Sequence, residues 1–226
     1  MRVSAEPIGE IDHSELHSFA GDPDQSLYLL LSSRRDKSCQ TVHCFTEYGT
    51  WEQTIEGDGT PYDFAQPLPE GLLLAHARQW GTRPNARVHD SNGRILREFC
   101  LGDGIEELQT TQSGAIWASY FDEGVFGNTI ASAGLIRFDS FGNVEFKFQP
   151  RGGMDWITDC YALNVESNDS TWFYYYTPFP LVRLRHDAVD AVWQPGLRGA
   201  QVFAVFGNRA LMHSGYTTKL TGHSSN

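Results

Sequence analysis

The sequence predicts an all-β protein, a β-propeller of four-stranded blades, with about five blades visible along the 226 residues. Two observations support this prediction: a hairpin with a central glycine recurs along the chain, and so does a tight turn that leads into a strongly apolar strand. No segment shows the sustained 3.6-residue apolar period of a long helix. Four short strands in a repeat of about 40–50 residues are typical of a propeller blade.

The glycine hairpin has three clear copies, each flanked by alternating apolar residues. They lie at residues 42–52, 86–96 and 135–145, and a degenerate fourth copy lies at 181–193. Asn92-Gly93 is a favoured hairpin loop, and Gly142 supplies the positive φ that such turns need. Each hairpin is therefore expected to join the second and third strands of a repeat unit.

Tight turns before apolar strands mark where each unit begins. The units start near residues 26, 71, 114, 171 and 209, and the whole chain, 1–226, is interpreted as one domain. Only the first strands of the fifth unit are visible before residue 226. We therefore expect either that a strand from residues 1–11 closes the ring or that the ring is incomplete, and the sequence leaves both alternatives open.

Composition argues against nucleic-acid and membrane partners. The net charge is −11, and the densest basic group, Arg34, Arg35 and Lys37, is interrupted by Asp36, whereas nucleic-acid binding needs a basic stripe. No apolar run approaches the roughly 18 residues of a transmembrane helix, and the first residues lack the apolar core of a signal peptide. Four cysteines without a C-x-x-C pair fit a reducing compartment, so the expected location is cytoplasmic.

One blade carries a family resemblance. Gly114-Ala115-Ile116-Trp117, followed by the hairpin at 134–142, resembles a blade of the NHL and TolB-like six-bladed propellers, in which a G-x-I-W strand precedes an [IL]-x-x-F-D-x-x-G hairpin. The resemblance covers about residues 26–193 and implies a propeller. It implies no single activity, because this fold hosts lactonases, lyases, receptors and scaffolds. The gluconolactonase branch binds a divalent cation through Glu, Asn and Asp, and this sequence has no residue-by-residue match to those ligands.

Long connections on one face of the predicted ring contain the candidate site. Two of them, at 77–85 and 121–132, are much longer than the hairpins, and loops on a rigid scaffold often carry function. They mix charged residues with large aromatic ones, as recognition surfaces do. The candidate ligand- or partner-binding residues are His76, Arg78, Trp80, Tyr120, Asp122, Glu123, Phe126 and Tyr176, of which His76, Tyr120 and Tyr176 are expected at the channel mouth.

The sequence contains no G-x-S-x-G, P-loop, H-E-x-x-H or G-x-G-x-x-G motif. No metal site and no cofactor are predicted, although Asp122 and Glu123 could bind a divalent cation such as calcium at the channel mouth. They could also act as acid and base if burial raised one pKa, and solvated loop carboxylates are the plainer alternative. The resulting hypothesis is a non-catalytic propeller that binds an unknown protein or small polar ligand. One alternative is a metal-dependent hydrolase or lyase of the gluconolactonase type, and a plainer one is a divergent scaffold that retains no ligand.

Overall fold

The computed structural model describes residues 15–21, 26–32, 39–56, 61–79, 83–127, 129–207, 209–214 and 220–224. These residues form five antiparallel sheets, and within each sheet every strand pairs with the next strand along the chain. Short turns and loops suffice for this connectivity, because antiparallel neighbours need no crossover. The predicted all-β architecture of four-stranded blades is confirmed. We number the sheets as blades 1 to 5.

The strand bounds follow the repeat. Blade 1 contains β1 (Leu16–Gly21), β2 (Leu27–Ser32), β3 (Cys39–Thr46) and β4 (Gly49–Glu56). Blade 2 contains β5 (Phe64–Leu68), β6 (Gly71–Ala75), β7 (Ala86–His89) and β8 (Ile95–Phe99). Blade 3 contains β9 (Ile105–Thr110), β10 (Ile116–Tyr120), β11 (Leu135–Phe138) and β12 (Val144–Lys147).

The remaining strands complete the order. Blade 4 contains β13 (Asp159–Val165), β14 (Ser170–Tyr176), β15 (Leu181–Arg185) and β16 (Ala188–Trp193). Blade 5 contains β17 (Ala200–Phe206), β18 (Arg209–Ser214) and β19 (Leu220–Ser224). A short helix, α1 (Asp122–Phe126), and a 3₁₀ turn (Ile130–Ala133) lie in the connection between β10 and β11.

The first strand of each blade lies closest to the axis. β1 packs against β5, β5 against β9, and β13 against both β9 and β17. A channel of about 630 Å³ is lined by residues from these five strands. The positions near 26, 71, 114, 171 and 209 begin the second strand of each sheet, so a blade starts one strand earlier than the predicted unit. The long connections consequently follow the second strand of a blade rather than the innermost one.

Blade 5 has three strands in the part of the chain that the structure describes. Residues 1–11, which one alternative assigned to ring closure, lie outside the described residues. The two alternatives for closure therefore stay predictions.

Apolar clusters between neighbouring blades form the core. Val42 and Leu74 belong to the cluster between blades 1 and 2, and Leu73 with Phe138 to the one between blades 2 and 3. Similar clusters join blades 3 and 4 and blades 4 and 5. Because each blade buries apolar side chains against the next, the hydrophobic effect favours the radial arrangement.

The glycine hairpins of blades 2 and 3 form as predicted. Gly93 has φ 81° and Gly142 has φ 83°. In the first of these hairpins, Asp90 Oδ1 accepts hydrogen bonds from the N–H groups of Asn92 at 2.9 Å and Arg94 at 3.0 Å. Asp139 Oδ1 caps the second hairpin in the same way. The same pair of residues, an aspartate followed three positions later by a glycine, thus stabilises the turn in both hairpins.

Each of these hairpins is also held by the preceding blade, in a contact that we call a hairpin latch. Gln53 Nε2 in β4 donates to Asp90 O at 2.9 Å, and Arg97 Nε in β8 donates to Ser140 O at 2.8 Å. Arg137 in β11 forms an ion pair with Asp187 in the blade 4 hairpin. The latches tie the outer strands of consecutive blades together.

Candidate binding site at the channel mouth

Four of the five innermost strands have a β-bulge at their second or third residue, where the ladder with the neighbouring strand skips one position. β5 pairs without an irregularity. A bulge leaves one residue unpaired in the ladder and redirects its side chain, and bulges are common next to functional sites. The extra residues are His17 in β1, Glu106 in β9, Tyr161 in β13 and Gln201 in β17.

The bulges all lie at the end of the channel where the innermost strands begin, which we call the channel mouth. His17, Glu106 and Gln201 line the channel. The long connections that follow the second strand of each blade emerge at the same end, because successive antiparallel strands alternate in direction. The channel mouth and the predicted long-loop face are thus the same side of the molecule.

A carboxyl cluster occupies the blade 3 and blade 4 side of the mouth, formed by Glu106, Asp122 and Asp159. Burial, together with the charges of Asp159 and Asp122, raises the pKa of Glu106 to about 7. Burial and the charge of Asp122 raise the pKa of Asp159 to about 6. The three acids therefore repel one another in a partly desolvated setting, and a bound cation would relieve that repulsion.

Glu107 lies beside this cluster and also lines the channel. Burial and the neighbouring charge of Glu106 raise the pKa of the Glu107 carboxyl to about 7. Sequence reasoning missed Glu106, Glu107 and Asp159. The sequence signal that could have identified the two glutamates is their position next to each other within β9, a strand that packs against β5 on one side and β13 on the other.

Asp122 and Glu123, predicted as an acidic pair, have different partners. Asp122 acts on Glu106 and Asp159, whereas Glu123 forms an ion pair with Arg78. Arg78 Nε also lies 3.0 Å from Asp103 Oδ1. Arg78 therefore joins the long loop of blade 2 to blade 3.

The opposite side of the mouth is held by Asp63, just before β5. Asp63 Oδ2 accepts the Ala77 N–H at 2.7 Å, and Oδ1 lies 3.4 Å from His17 Nε2. Although burial raises the pKa of Asp63, the hydrogen bonds to His17 and Ala77 bring it below the ordinary value. This side of the mouth contains an ionised, already partnered carboxylate, in contrast to the carboxyl cluster.

His76 and Tyr120 were both expected at the mouth, and the structure places them differently. His76 Nδ1 lies 3.0 Å from Pro61 O, and its ring stacks on Tyr62 with centroids 4.5 Å apart. Tyr120 is fully buried and donates its hydroxyl hydrogen bond to Leu101 O. Tyr120 lies on the side of β10 that packs toward blade 2, so in this conformation it offers no surface to a ligand.

The remaining predicted residues are aromatic. Phe126 in α1 is 70% exposed and Tyr176 at the end of β14 is 45% exposed. The Tyr176 ring meets Phe179 edge-on, with centroids 5.3 Å apart. Trp80 lies outside the described residues. Phe126 and Tyr176 thus leave exposed apolar surface on the long-loop face.

Two features are absent from the described part of the chain. No set of three or more His, Cys, Asp and Glu side chains there is arranged to hold a metal ion. None of the helices that the structure describes has the length and apolar character needed to cross a membrane.

Comparisons with known proteins agree on the fold. Residues 131–213 match the model of the YxzG family. No curated protein sequence matches the chain. The fold is similar to that of hydrazine synthase from Kuenenia stuttgartiensis, with a TM-score of 0.60 and 10% identity over 92% of this chain and 70% of that one.

Two further solved structures show the same similarity. A chain of a mitotic checkpoint complex aligns with a TM-score of 0.58 and 8% identity, over 100% of this chain and 83% of that one. A protein of unknown function from Bacteroides caccae aligns with a TM-score of 0.53 and 13% identity, over 92% and 77%. The chain therefore has the β-propeller fold. The narrower resemblance to NHL and TolB-like propellers stays a prediction, and this fold serves both enzymes and binding proteins.

Proposed function

We propose that this protein is a non-catalytic binding propeller that holds a small polar ligand with a positive charge at its channel mouth. The observation that carries the proposal is the carboxyl cluster, in which Glu106, Asp122 and Asp159 are gathered from two blades at the entrance to the channel. The ligand's cationic group would lie among these carboxylates. The exposed Phe126 and Tyr176 would contact its apolar part or a protein that carries it.

The electrostatics favour a cation over a neutral ligand. The ionised form of a carboxyl group with a raised pKa is stabilised when a positive charge approaches, because the cation offsets both the desolvation of the carboxylates and their mutual repulsion. The channel, at about 630 Å³, falls within the usual range for small-molecule sites. An amine-bearing metabolite is the simplest ligand of this chemistry.

Calorimetry with putrescine tests the proposal, with 1,4-butanediol as a neutral probe of the same length. We expect putrescine to bind and butanediol to bind much more weakly. Glu106→Gln and Asp159→Asn should each weaken putrescine binding by about tenfold, as expected for a lost charged contact. Affinity should also fall as the pH is lowered from 8 to 5, because Glu106, with a pKa of about 7, and Asp159, with a pKa of about 6, become protonated over that range.

Glu47→Gln is the matched control, since Glu47 is an exposed acid in the hairpin between β3 and β4, at the other end of the blade. If Glu47→Gln and Glu106→Gln weakened putrescine binding equally, the binding would come from the overall negative charge of the protein and not from the carboxyl cluster. Equal affinity for the diol and the diamine would contradict a cationic ligand.

The alternative is a metal-dependent hydrolase or lyase of the gluconolactonase type. A carboxyl with a pKa of about 7, such as Glu106, beside Asp159 is suited to acid–base chemistry. A panel of lactones and phosphate esters, with and without calcium, separates the two functions. Cation-dependent turnover that is lost in Asp122→Ala would replace the binding proposal with this one.

We further propose that the protein acts in the cytoplasm without nucleic-acid or membrane partners. The net charge of −11 supports this assignment, and so do the four cysteines, which are all free thiols. Fractionation of cells that express a tagged chain provides the measurement, and recovery in a membrane or secreted fraction would contradict the proposal.

A further inference from the structure

A second cavity, of about 510 Å³, lies at the edge of blade 4 and shares no lining residue with the channel. The connection between blades 3 and 4 forms one wall. The loop between β14 and β15 and the outer strand β16 form the others. Its volume falls within the range of small-molecule sites, and nothing in the proposed function uses it.

Apolar side chains form about half of the lining. The side chains of Met154, Pro178, Pro180, Val189 and Val192 face the cavity. Val192 is 43% exposed, although it is an aliphatic residue within the strand pair of β15 and β16. An apolar group that entered the cavity would remove this surface from water, which is favourable in proportion to the buried area.

Two opposite charges complete the lining, on one turn. Arg151 and Asp155 both line the cavity and both are exposed. Neither takes part in an ion pair in the described part of the chain, in contrast to Arg137, which pairs with Glu145 and Asp187. The cavity thus has an uncompensated cation and an uncompensated anion.

The turn that carries these charges is defined by its backbone. Met154 N–H donates to Arg151 O at 3.2 Å. Gly152 and Gly153 adopt φ 62° and 83°, and open space surrounds the position where each would carry a Cβ. The glycines satisfy the backbone conformation and leave the rim of the cavity unobstructed.

Tyr175 fixes the backbone of Asp155 beside the cavity. The Tyr175 hydroxyl donates to Asp155 O at 3.0 Å. Burial and the negative charge of Asp155 raise the pKa of Tyr175 to about 12. The phenol is therefore neutral at physiological pH, and the cavity retains one positive and one negative side chain.

We propose that this cavity binds a zwitterionic ligand with an apolar body. The carboxylate of the ligand would pair with Arg151, its ammonium group with Asp155, and its apolar part would cover Val189 and Val192. A free apolar amino acid and a short apolar peptide share this chemistry. Single charges of one sign would leave either Arg151 or Asp155 without a partner, so the structure favours a ligand that has both.

Isotope-edited NMR titration and calorimetry with leucine and with leucyl-leucine test the proposal and distinguish the two sources. The N-acetylated dipeptide and its C-terminal amide each remove one charge. We expect at least one of the free probes to bind. Each blocked dipeptide should bind at least about tenfold more weakly than the free dipeptide. Arg151→Gln and Asp155→Asn should each reproduce that loss, and Val192→Trp should abolish binding by filling the cavity.

Arg94→Gln is the matched control, because Arg94 is an exposed arginine in the blade 2 hairpin. It should leave the affinity unchanged. No binding of either free probe at millimolar concentration would overturn the proposal. So would equal affinity for free and blocked peptides, or binding that survives all three cavity substitutions. Because Glu106→Gln does not alter this cavity, loss of putrescine binding and loss of peptide binding are separately measurable.

Discussion

Glu107 shows how the channel changes the ionisation of a single side chain. Burial and the charge of Glu106 raise its pKa to about 7, whereas a glutamate in an unfolded chain has a pKa of about 4.3. Between these two values the folded protein holds more protons than the unfolded one. The free energy of unfolding therefore decreases as the pH rises from about 4 to about 7, and the decrease is complete above that range.

Glu107→Gln should remove this pH dependence. We expect the variant to be more stable than the parent by about 1–2 kcal/mol at pH 8 and close to it at pH 4. Urea unfolding at the two pH values provides the measurement. An equal change in stability at both values would contradict the assignment of the titration to Glu107, and Glu47→Gln, at an exposed position, should change neither.

Individual residues differ in how far they could be predicted from the sequence. Gly93 and Gly142 were predicted correctly, because their positive φ follows from local turn chemistry. Glu106 was missed, because its role depends on a bulge and on charges contributed by Asp122 and Asp159. Tyr120 was misplaced, because the sequence does not tell which side of a strand faces the next blade.

At the scale of elements, the hairpin latch between blades 2 and 3 makes more kinds of contact than the other latches. Arg97 donates to Ser140 O at 2.8 Å, lies 4.9 Å from the centroid of the Phe141 ring, and forms an ion pair with Glu70. We expect Arg97→Ala to lower the free energy of unfolding by about 1–3 kcal/mol, because a charged hydrogen bond and a cation–π contact are lost together.

Hydrogen exchange checks this prediction where the latch acts. The amides of Phe141 and Asn143, which bond to Asp139, should exchange faster in Arg97→Ala than in the parent. Arg97→Lys should recover part of the stability, since lysine keeps the charge but not the planar donor geometry. If Arg94→Ala has the same effect, the latch does not stabilise the hairpin.

The order of the strands was predicted better than the grouping of strands into blades. The glycine turns and the apolar strands were found at the right places, because both signals are local. The sequence does not specify which strands are hydrogen-bonded to one another, so the innermost strand of each blade was assigned to the end of the preceding unit. Sheet pairing places that strand first, for example β5 before β6.

The whole molecule depends on contacts that cross from one innermost strand to the next. Gln109 in β9 donates from Nε2 to Leu163 O at 2.9 Å and accepts the Val165 N–H at 2.8 Å. The innermost strands β9 and β13 are not paired in one sheet. The side-chain amide of Gln109 therefore provides hydrogen bonds between them that the backbone does not make. On the other side of β9, Gln66 Oε1 accepts the Thr110 N–H at 3.2 Å.

Gln109→Leu should destabilise the ring by about 2–4 kcal/mol, because a backbone N–H and a carbonyl lose their partners beside the channel. Chemical unfolding measures this loss. Gln201→Leu is the control, since Gln201 lines the same channel and its side chain makes no hydrogen bond in the described part of the chain. Equal destabilisation by the two substitutions would show that the loss comes from channel polarity instead of the inter-blade bridge.

The overall architecture could be predicted because it is repeated. Each copy of the glycine hairpin is weak evidence, and several copies at similar spacing are strong evidence for one fold. The site could not be predicted in the same way, because its acids come from different repeats and meet only when the blades are arranged around the axis.

The bulges at the start of the innermost strands place side chains at the channel mouth that have no part in strand pairing. One backbone irregularity places an imidazole, a carboxyl group and a carboxamide on the channel lining of three blades, at His17, Glu106 and Gln201. Because ladder pairing does not use these positions, exchanging one side chain for another alters the selectivity of the entrance without rebuilding any strand. Three adjustable positions on a fixed frame give this small propeller a convenient starting point for designing receptors.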